Sequence, residues 1–325
     1  MNLSMVLGLL GGLGIFLIGM QQMAEGLQKA AGERLRRILE VFTSNPAMAV
    51  VTGALVTALV QSSSTTTVMT VGFVNAGLMT LSQAVGTIMG ANIGTTITAQ
   101  IVSFDIYQLA YPLIAIGAGL SFFAQRRIAR HAGTGMLGFG LLLLGLSTMS
   151  ESVYPLRTYQ PFLDALVYLG QNPLLGVLAG AVFTTLVQSS SATTGLVIAF
   201  AMQGIIDLPS GLVLIIGANI GTCITAALAA IGTSLSARRA AAAHLLFNLF
   251  GGVLFLILRE PFAALVQGTS PAVTRQIANA HTIFNVANTV ILLPLVKPLV
   301  AVGAGDAAWA RGRKSWSGPS TLTRA

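Results

Sequence analysis

The chain has 325 residues, of which 54% are hydrophobic and only 8% charged, with a formal net charge of +8 and a mean hydropathy of +0.82. A soluble domain carries roughly a quarter of its residues as Asp, Glu, Lys and Arg, so this composition cannot clothe a water-facing surface and excludes a pair of soluble domains. The 17 basic residues sit in short clusters between apolar runs, the positive-inside pattern rather than a nucleic-acid surface, and the single Cys223 excludes an intramolecular disulfide or a Cys-based metal site.

The first apolar run, 5–26, is near 20 residues long and lacks a strand's alternation, so it is read as a membrane helix. No Lys or Arg precedes it and a similar run recurs in mid-chain, so it does not read as a cleaved signal peptide. Lys29, Arg34, Arg36 and Arg37 follow and place that side in the cytoplasm. Residues 27–43 mix Leu27, Leu35, Ile38, Leu39 and Phe42 with charges, which predicts an interfacial amphipathic helix. Segment 46–76 is apolar but broken at its centre by polar residues 61–67, which predicts a re-entrant hairpin on the cytoplasmic side. Irregular backbone at membrane depth is tolerated only where protein or a cavity surrounds it. Crossings at 82–104 and 108–125 return the chain to Arg126, Arg127 and Arg130. A helix at 134–152 leads outward, a second hairpin at 172–204 enters from outside, and a crossing at 208–231 brings Arg238 and Arg239 inside. Two further crossings, 240–258 and 281–301, precede a polar, basic tail. This topology leaves 14 of the 17 basic residues in the cytoplasm and Arg157, Arg259 and Arg275 outside.

An internal repeat organises the chain. Residues 45–98 align without a gap to 172–225, at a constant offset of 127 and with about half of the positions identical. The best-matched blocks are LVQSSSTTT (59–67) with LVQSSSATT (186–194), and GANIGTTIT (90–98) with GANIGTCIT (217–225). Upstream, GLGIFLIGMQQMAE (12–25) matches GFGLLLLGLSTMSE (138–151), and a third echo pairs AHLLFN (243–248) with AHTIFN (280–285). The expected divisions are a first repeat (1–133), a second (134–239), C-terminal helices (240–302) and a cytoplasmic tail (303–325). Three crossings separate the two hairpins, and an odd number inverts one repeat relative to the other, as in many secondary transporters. The fold class is therefore an all-α integral membrane protein of inverted-topology repeats, each with a re-entrant QSSS hairpin and a discontinuous helix.

The polar blocks point to ion chemistry. Ser and Thr are common glue at membrane helix contacts, and that bland reading suits a lone patch. Here the patch occurs twice, each time with its Gln 29 residues before the first Gly of GANIGT. A helix that restarts at QSSS aims free N–H groups and a partial positive charge at the break, and Ser is a preferred N-cap. Two such ends make an anion site without Lys or Arg, with Gln amides as further donors. In GANIGT, Gly lets the helix loosen while Asn and Thr offer oxygens to a monovalent cation. The alternative is close helix packing through Gly90 and Gly94. Glu25 and Glu151 are repeat-equivalent acids at helix ends and read as interfacial caps. His244 and His281, with Asn248 and Asn285, read as buried packing groups. A membrane enzyme with a Ser nucleophile would need a base and an orienting acid, and no G-x-S-x-G is present. The chain is therefore read as a transporter and not an enzyme, with an anion channel or a carrier of another oxyanion or a dicarboxylate as rivals.

The duplicated motifs, 61–64 with 90–95 and 188–191 with 217–222, resemble those of the type II sodium-dependent phosphate cotransporters and their bacterial relatives. The resemblance implies coupled transport of sodium and inorganic phosphate, with the QSSS segments lining the sites. It assigns Gln61, Ser62, Ser63, Ser64, Gln188, Ser189, Ser190 and Ser191 to substrate. Thr65, Thr66, Asn92, Thr95, Thr193, Asn219 and Thr222 form the expected sodium set. No cofactor is implied beyond sodium as co-substrate. The expected partners are phosphate, sodium, the lipid bilayer and, as one option, a second copy in a homodimer, but no nucleic acid. The expected location is the cell inner membrane or plasma membrane. Beside animal members the resemblance leaves only 151–171 between the repeats, beside many bacterial members a chain expected to lack a PhoU-like C-terminal domain, and beside some relatives no acid in 232–239. Export by the same fold stays open beside import.

Overall fold

The computed structural model describes residues 3–31 and 45–296. Most of the amphipathic segment expected over 27–43, and the basic tail, lie outside the described residues. Among the described residues all regular structure is helical. The helices are α1 (Leu3–Ala31), α2 (Pro46–Val60), α3 (Ser63–Asn75), α4 (Leu81–Val102), α5 (Ala110–Phe123) and α6 (Arg127–Val153). They continue as α7 (Gln160–Gln171), α8 (Pro173–Val187), α9 (Ser190–Met202), α10 (Leu208–Gly221), α11 (Cys223–Ala229), α12 (Leu235–Gln267) and α13 (Val273–Leu292). Among the described residues four helices are long and apolar enough to cross a membrane, or up to six when each bent pair counts as one span.

Glycine seams decide which helices meet. On α1, Gly12, Gly19 and Gly26 face the backbone of Met149, Leu142 and Gly135, so close that a Cβ would collide. In return Gly138 and Gly145 of α6 face Met23 and Phe16. The register descends on one helix as it rises on the other, so these repeat-equivalent helices pack antiparallel. A second kind of seam joins α2 to α4, where Gly86, Gly90 and Gly94 abut Pro46, Val50 and Ala54. Here the register rises on both helices, so they run parallel and α3 must carry the chain back between them. The second repeat reproduces this, with Gly217 and Gly221 of α10 against Val177 and Ala181 of α8. Without a water-driven hydrophobic effect inside a bilayer, such backbone-to-backbone approach is a main source of helix affinity.

Several expectations change. The GANIGT segment of the first repeat does not loosen: α4 is helical throughout, and its glycines serve the seam with α2. In the second repeat the helix steps only at Thr222, whose backbone stays right-handed at φ −62° and ψ −23°. The discontinuities lie in the hairpins instead. Between α4 and the segment Tyr107–Phe123 the chain turns 86° rather than reversing, because α4 is held to α2 while α5 lies on α6 through Gly117 and Gly133. The connector 151–171 contains a 3-10 turn, Tyr154–Thr158, and helix α7, which meets α8 at 110°. The crossing expected at 240–258 is longer in both directions and bends at Leu258 (φ −103°, ψ 18°). Pro261 explains the bend, since proline has no N–H for the carbonyl one turn earlier. The last crossing begins at Val273 rather than 281.

Candidate functional site

Both QSSS segments form the same turn. α2 ends at Val60, Gln61 takes the left-handed conformation (φ 55°, ψ 24°), and Ser62 caps the restart at Ser63. Ser62 Oγ accepts from the Thr65 amide at 3.1 Å. In the second repeat Gln188 takes φ 57° and ψ 24°, and Ser189 Oγ accepts from the Ala192 amide at 3.2 Å. Among the described residues these two glutamines are the only non-glycine residues with positive φ. A left-handed residue with a Cβ costs about 1–2 kcal/mol, and glycine would avoid that cost. The strain is tolerated twice at one motif, which points to the glutamine side chain as what the site needs.

Threonines tie each turn together. Thr57 Oγ1 donates to Thr66 Oγ1 at 2.9 Å, and Thr184 and Thr193 hydroxyls lie 2.7 Å apart. Thr66 and Thr193, expected as sodium ligands, therefore hold the hairpin closed at its tip. Ser63, Ser190 and Ser191 are buried, Ser62, Ser64 and Ser189 are half-buried, and Thr65 is exposed. At the first turn of α3 and of α9 the leading amides have no carbonyl within the helix to accept them. The two turns differ in their glutamines. Gln61 is 5% exposed, donates to Ala58 O and accepts from Thr98 Oγ1 at 2.7 Å, whereas Gln188 is exposed.

A cavity of about 400 Å³ opens onto the first turn, lined by Gln61, Ser62 and Thr65 together with Gln21, Glu25 and Gln28 of α1. Gln28 Nε2 also lies 3.5 Å from Val60 O, so this turn sits beside the last turns of α1 rather than its middle. A second cavity of about 470 Å³ is lined by Glu151, Ser147 and Ser150 with Gln203, Ser103 and Asp105. The repeat-equivalent acids Glu25 and Glu151, read as caps, thus each border a polar cavity. Glu25 is paired with Lys29, and Glu151 accepts from Ser147 Oγ at 2.9 Å. The hydrogen bonds do not join the two QSSS turns; α3 and α9 each pack on α4.

The GANIGT asparagines have partners that the sequence reading did not assign. His244 Nε2 lies 3.2 Å from Asn92 Oδ1, and His281 Nε2 lies 3.0 Å from Asn219 Oδ1. Each copy of the AHxxFN echo thus serves one GANIGT helix. Asn248 continues the network, accepting from Asn92 Nδ2 at 3.4 Å and donating to Cys223 Sγ at 3.3 Å. The only hint in the sequence was the echo itself. A carbonyl oxygen has two lone pairs, so Asn92 Oδ1 and Asn219 Oδ1 each keep one beyond the histidine contact. Thr95 Oγ1 is buried without a partner, while Thr222 Oγ1 donates to Ala218 O at 2.9 Å.

These duplicated, strained helix breaks lie in a glycine-seamed, all-helical fold with helices long and apolar enough to cross a membrane. The Na+/Pi-cotransporter family model matches residues 15–151 and 158–269, and the chain belongs to that family. It is 32% identical over 256 residues to "Uncharacterized protein YqeW" of Bacillus subtilis, covering 79% of this chain and 83% of that one. It is 34% identical over 266 residues to "Putative inorganic phosphate export protein YjbB" of Escherichia coli K12, covering 81% of this chain and 48% of that one. A 97-residue stretch is 41% identical to the rat "Sodium-dependent phosphate transport protein 2A", covering 29% of this chain and 15% of that one. The chain thus spans about half the length of the export-protein relatives. No solved structure matches it.

Proposed function

We propose that the chain is a multi-pass secondary transporter of the cytoplasmic membrane that couples sodium ions to inorganic phosphate by alternating access at a site between the two QSSS turns. The observation that carries this reading is the duplicated turn: a left-handed Gln followed by a Ser N-cap, twice, with free helix-start amides beside it. Such an end takes a tetrahedral oxyanion through N–H and hydroxyl donors. No Lys or Arg belongs to either motif, so sodium supplies the neutralising charge. Gln61 to Ser64 and Gln188 to Ser191 hold phosphate, and Thr65, Thr66, Asn92, Thr95, Thr193, Asn219 and Thr222 serve sodium. The cavity beside Glu25 and Gln28 gives the first turn access from the cytoplasmic side assigned by the positive-inside rule. The differing burial of Gln61 and Gln188 agrees with two inverted repeats caught in unlike states. A second reading, export of phosphate by the same site, is favoured by the name borne by the YjbB relatives.

Radiolabelled phosphate uptake into proteoliposomes tests the reading. Uptake should require an inward sodium gradient and be competed by arsenate, an isosteric oxyanion. Equal uptake with potassium or choline in place of sodium would contradict the coupling. Faster flux when the gradient is applied from the other face of oriented vesicles would favour export.

A further inference from the structure

Helix α13 presents three buried oxygens that have no donor. Asn285, Asn288 and Thr289 are 0%, 2% and 3% exposed, and their spacing of three and four residues sets them on one helix face. The amide nitrogens are already committed. Asn285 Nδ2 donates to His281 O at 2.8 Å, and Asn288 Nδ2 donates to Phe247 O at 2.8 Å. These bonds fix the orientation of both amides, and they leave Asn285 Oδ1, Asn288 Oδ1 and Thr289 Oγ1 unpartnered in the interior.

The position of this face follows from the packing of α13 on α4. At one end Gln100 Nε2 donates to Thr282 Oγ1 at 2.9 Å. At the other, Leu292 and Val296 pack with Met89. The two helices therefore run antiparallel, and 285–289 lies level with the GANIGT residues 92–96. One turn earlier on the same face, His281 reaches Asn219 of the second repeat.

A buried acceptor without a donor is costly, and three together ask for a ligand. All three are hard, neutral oxygens, which suit a small monovalent cation rather than a divalent ion that seeks carboxylates. We propose that Asn285, Asn288 and Thr289 form a sodium site on α13, level with the first GANIGT segment and bordered by α12 at Asn288. The proposal rests on the sodium-coupled reading and extends the cation machinery beyond the two repeats to the C-terminal helices. Sodium bound there would brace α13 beside α12 while His281 ties it to α10, so occupancy would bear on the contact of the C-terminal helices with the second repeat.

The test follows thermal unfolding of the full chain in detergent with a dye that reacts with the thiol of Cys223, which is 3% exposed when folded. Sodium is titrated against choline at constant ionic strength without phosphate. The unfolding temperature of the wild type should rise saturably with sodium. Thr289→Val should unfold no earlier than the wild type in choline, since it removes an unsatisfied hydroxyl, yet need about tenfold more sodium for half its shift. Thr289→Ser should restore the wild-type midpoint, and Asn285→Leu should behave like Thr289→Val. Equal sodium midpoints in all the variants would overturn the site, with a water satisfying the oxygens instead. A wild type whose stability ignores sodium overturns it as well, whatever uptake shows. Unaltered sodium dependence of uptake in Thr289→Val would remove the α13 site while leaving sodium-coupled transport standing.

Discussion

Gln61 and Gln188 occupy the one backbone conformation in each hairpin that glycine would fill with least strain. Function and stability should therefore separate at these positions. Gln188→Gly, where the glutamine is exposed, should match or exceed the wild type in stability, by up to about 1 kcal/mol from relief of the left-handed strain, while phosphate transport falls by tenfold or more, about the worth of a hydrogen bond to a charged group. Thermal melting and uptake on the same preparation check both halves; retained transport would move the substrate site away from Gln188. The QSSS break was legible because seven polar residues in an apolar run have few ways to be satisfied in a membrane. Ser62 and Ser189 were legible as caps for the same reason. The left-handed glutamines were not, since no local signal distinguishes a strained Gln from one that ends a helix. The bonds from His244 and His281 to Asn92 and Asn219 were also out of reach. They join segments far apart in the chain, and only the packing of α12 and α13 brings them together.

At the scale of elements, the glycines carry the lesson. The spacing of Gly90 and Gly94 allowed either a loosened helix or a packed seam, and the seam prevails because α2 runs parallel to α4 at backbone contact. A Cβ at Gly90 would meet the carbonyl oxygen of Val50, whereas one at Gly72 of α3 meets nothing within 4 Å. Gly90→Ala should therefore destabilise the protein by about 1–3 kcal/mol. Gly72→Ala should stabilise it by about 0.5–1 kcal/mol, through the lower conformational entropy of alanine. Unfolding temperatures of the two variants beside the wild type check the contrast, and similar shifts for both would remove the seam as a source of stability. Helix α7 was missed because 151–171 was read as connector. Its apolar residues share one helical face, a pattern that a search for membrane-length runs passes over.

For the whole molecule, alternating access at a shared site depends on the two repeats being inverted in the membrane. Repeat-equivalent α1 and α6 pack antiparallel across a seam in which Gly12 and Gly138, and Gly19 and Gly145, play matching parts. A pseudo-twofold axis between them would turn one hairpin into the other and open the two to opposite faces, as alternating access requires. The overall class and the repeat were legible in the sequence because hydropathy and self-similarity are properties of long stretches. The 86° turn between α4 and the segment after it was not, because it follows from which seams hold each helix. The most direct measurement uses Cys223→Ser as background and adds Asn45→Cys or Gln171→Cys, residues exposed at the start of each hairpin. Cells freed of any outer barrier are treated with a membrane-impermeant maleimide. The Gln171→Cys protein should label at once and the Asn45→Cys protein only after the membrane is opened; labelling of both or of neither beforehand would contradict inversion and the shared site.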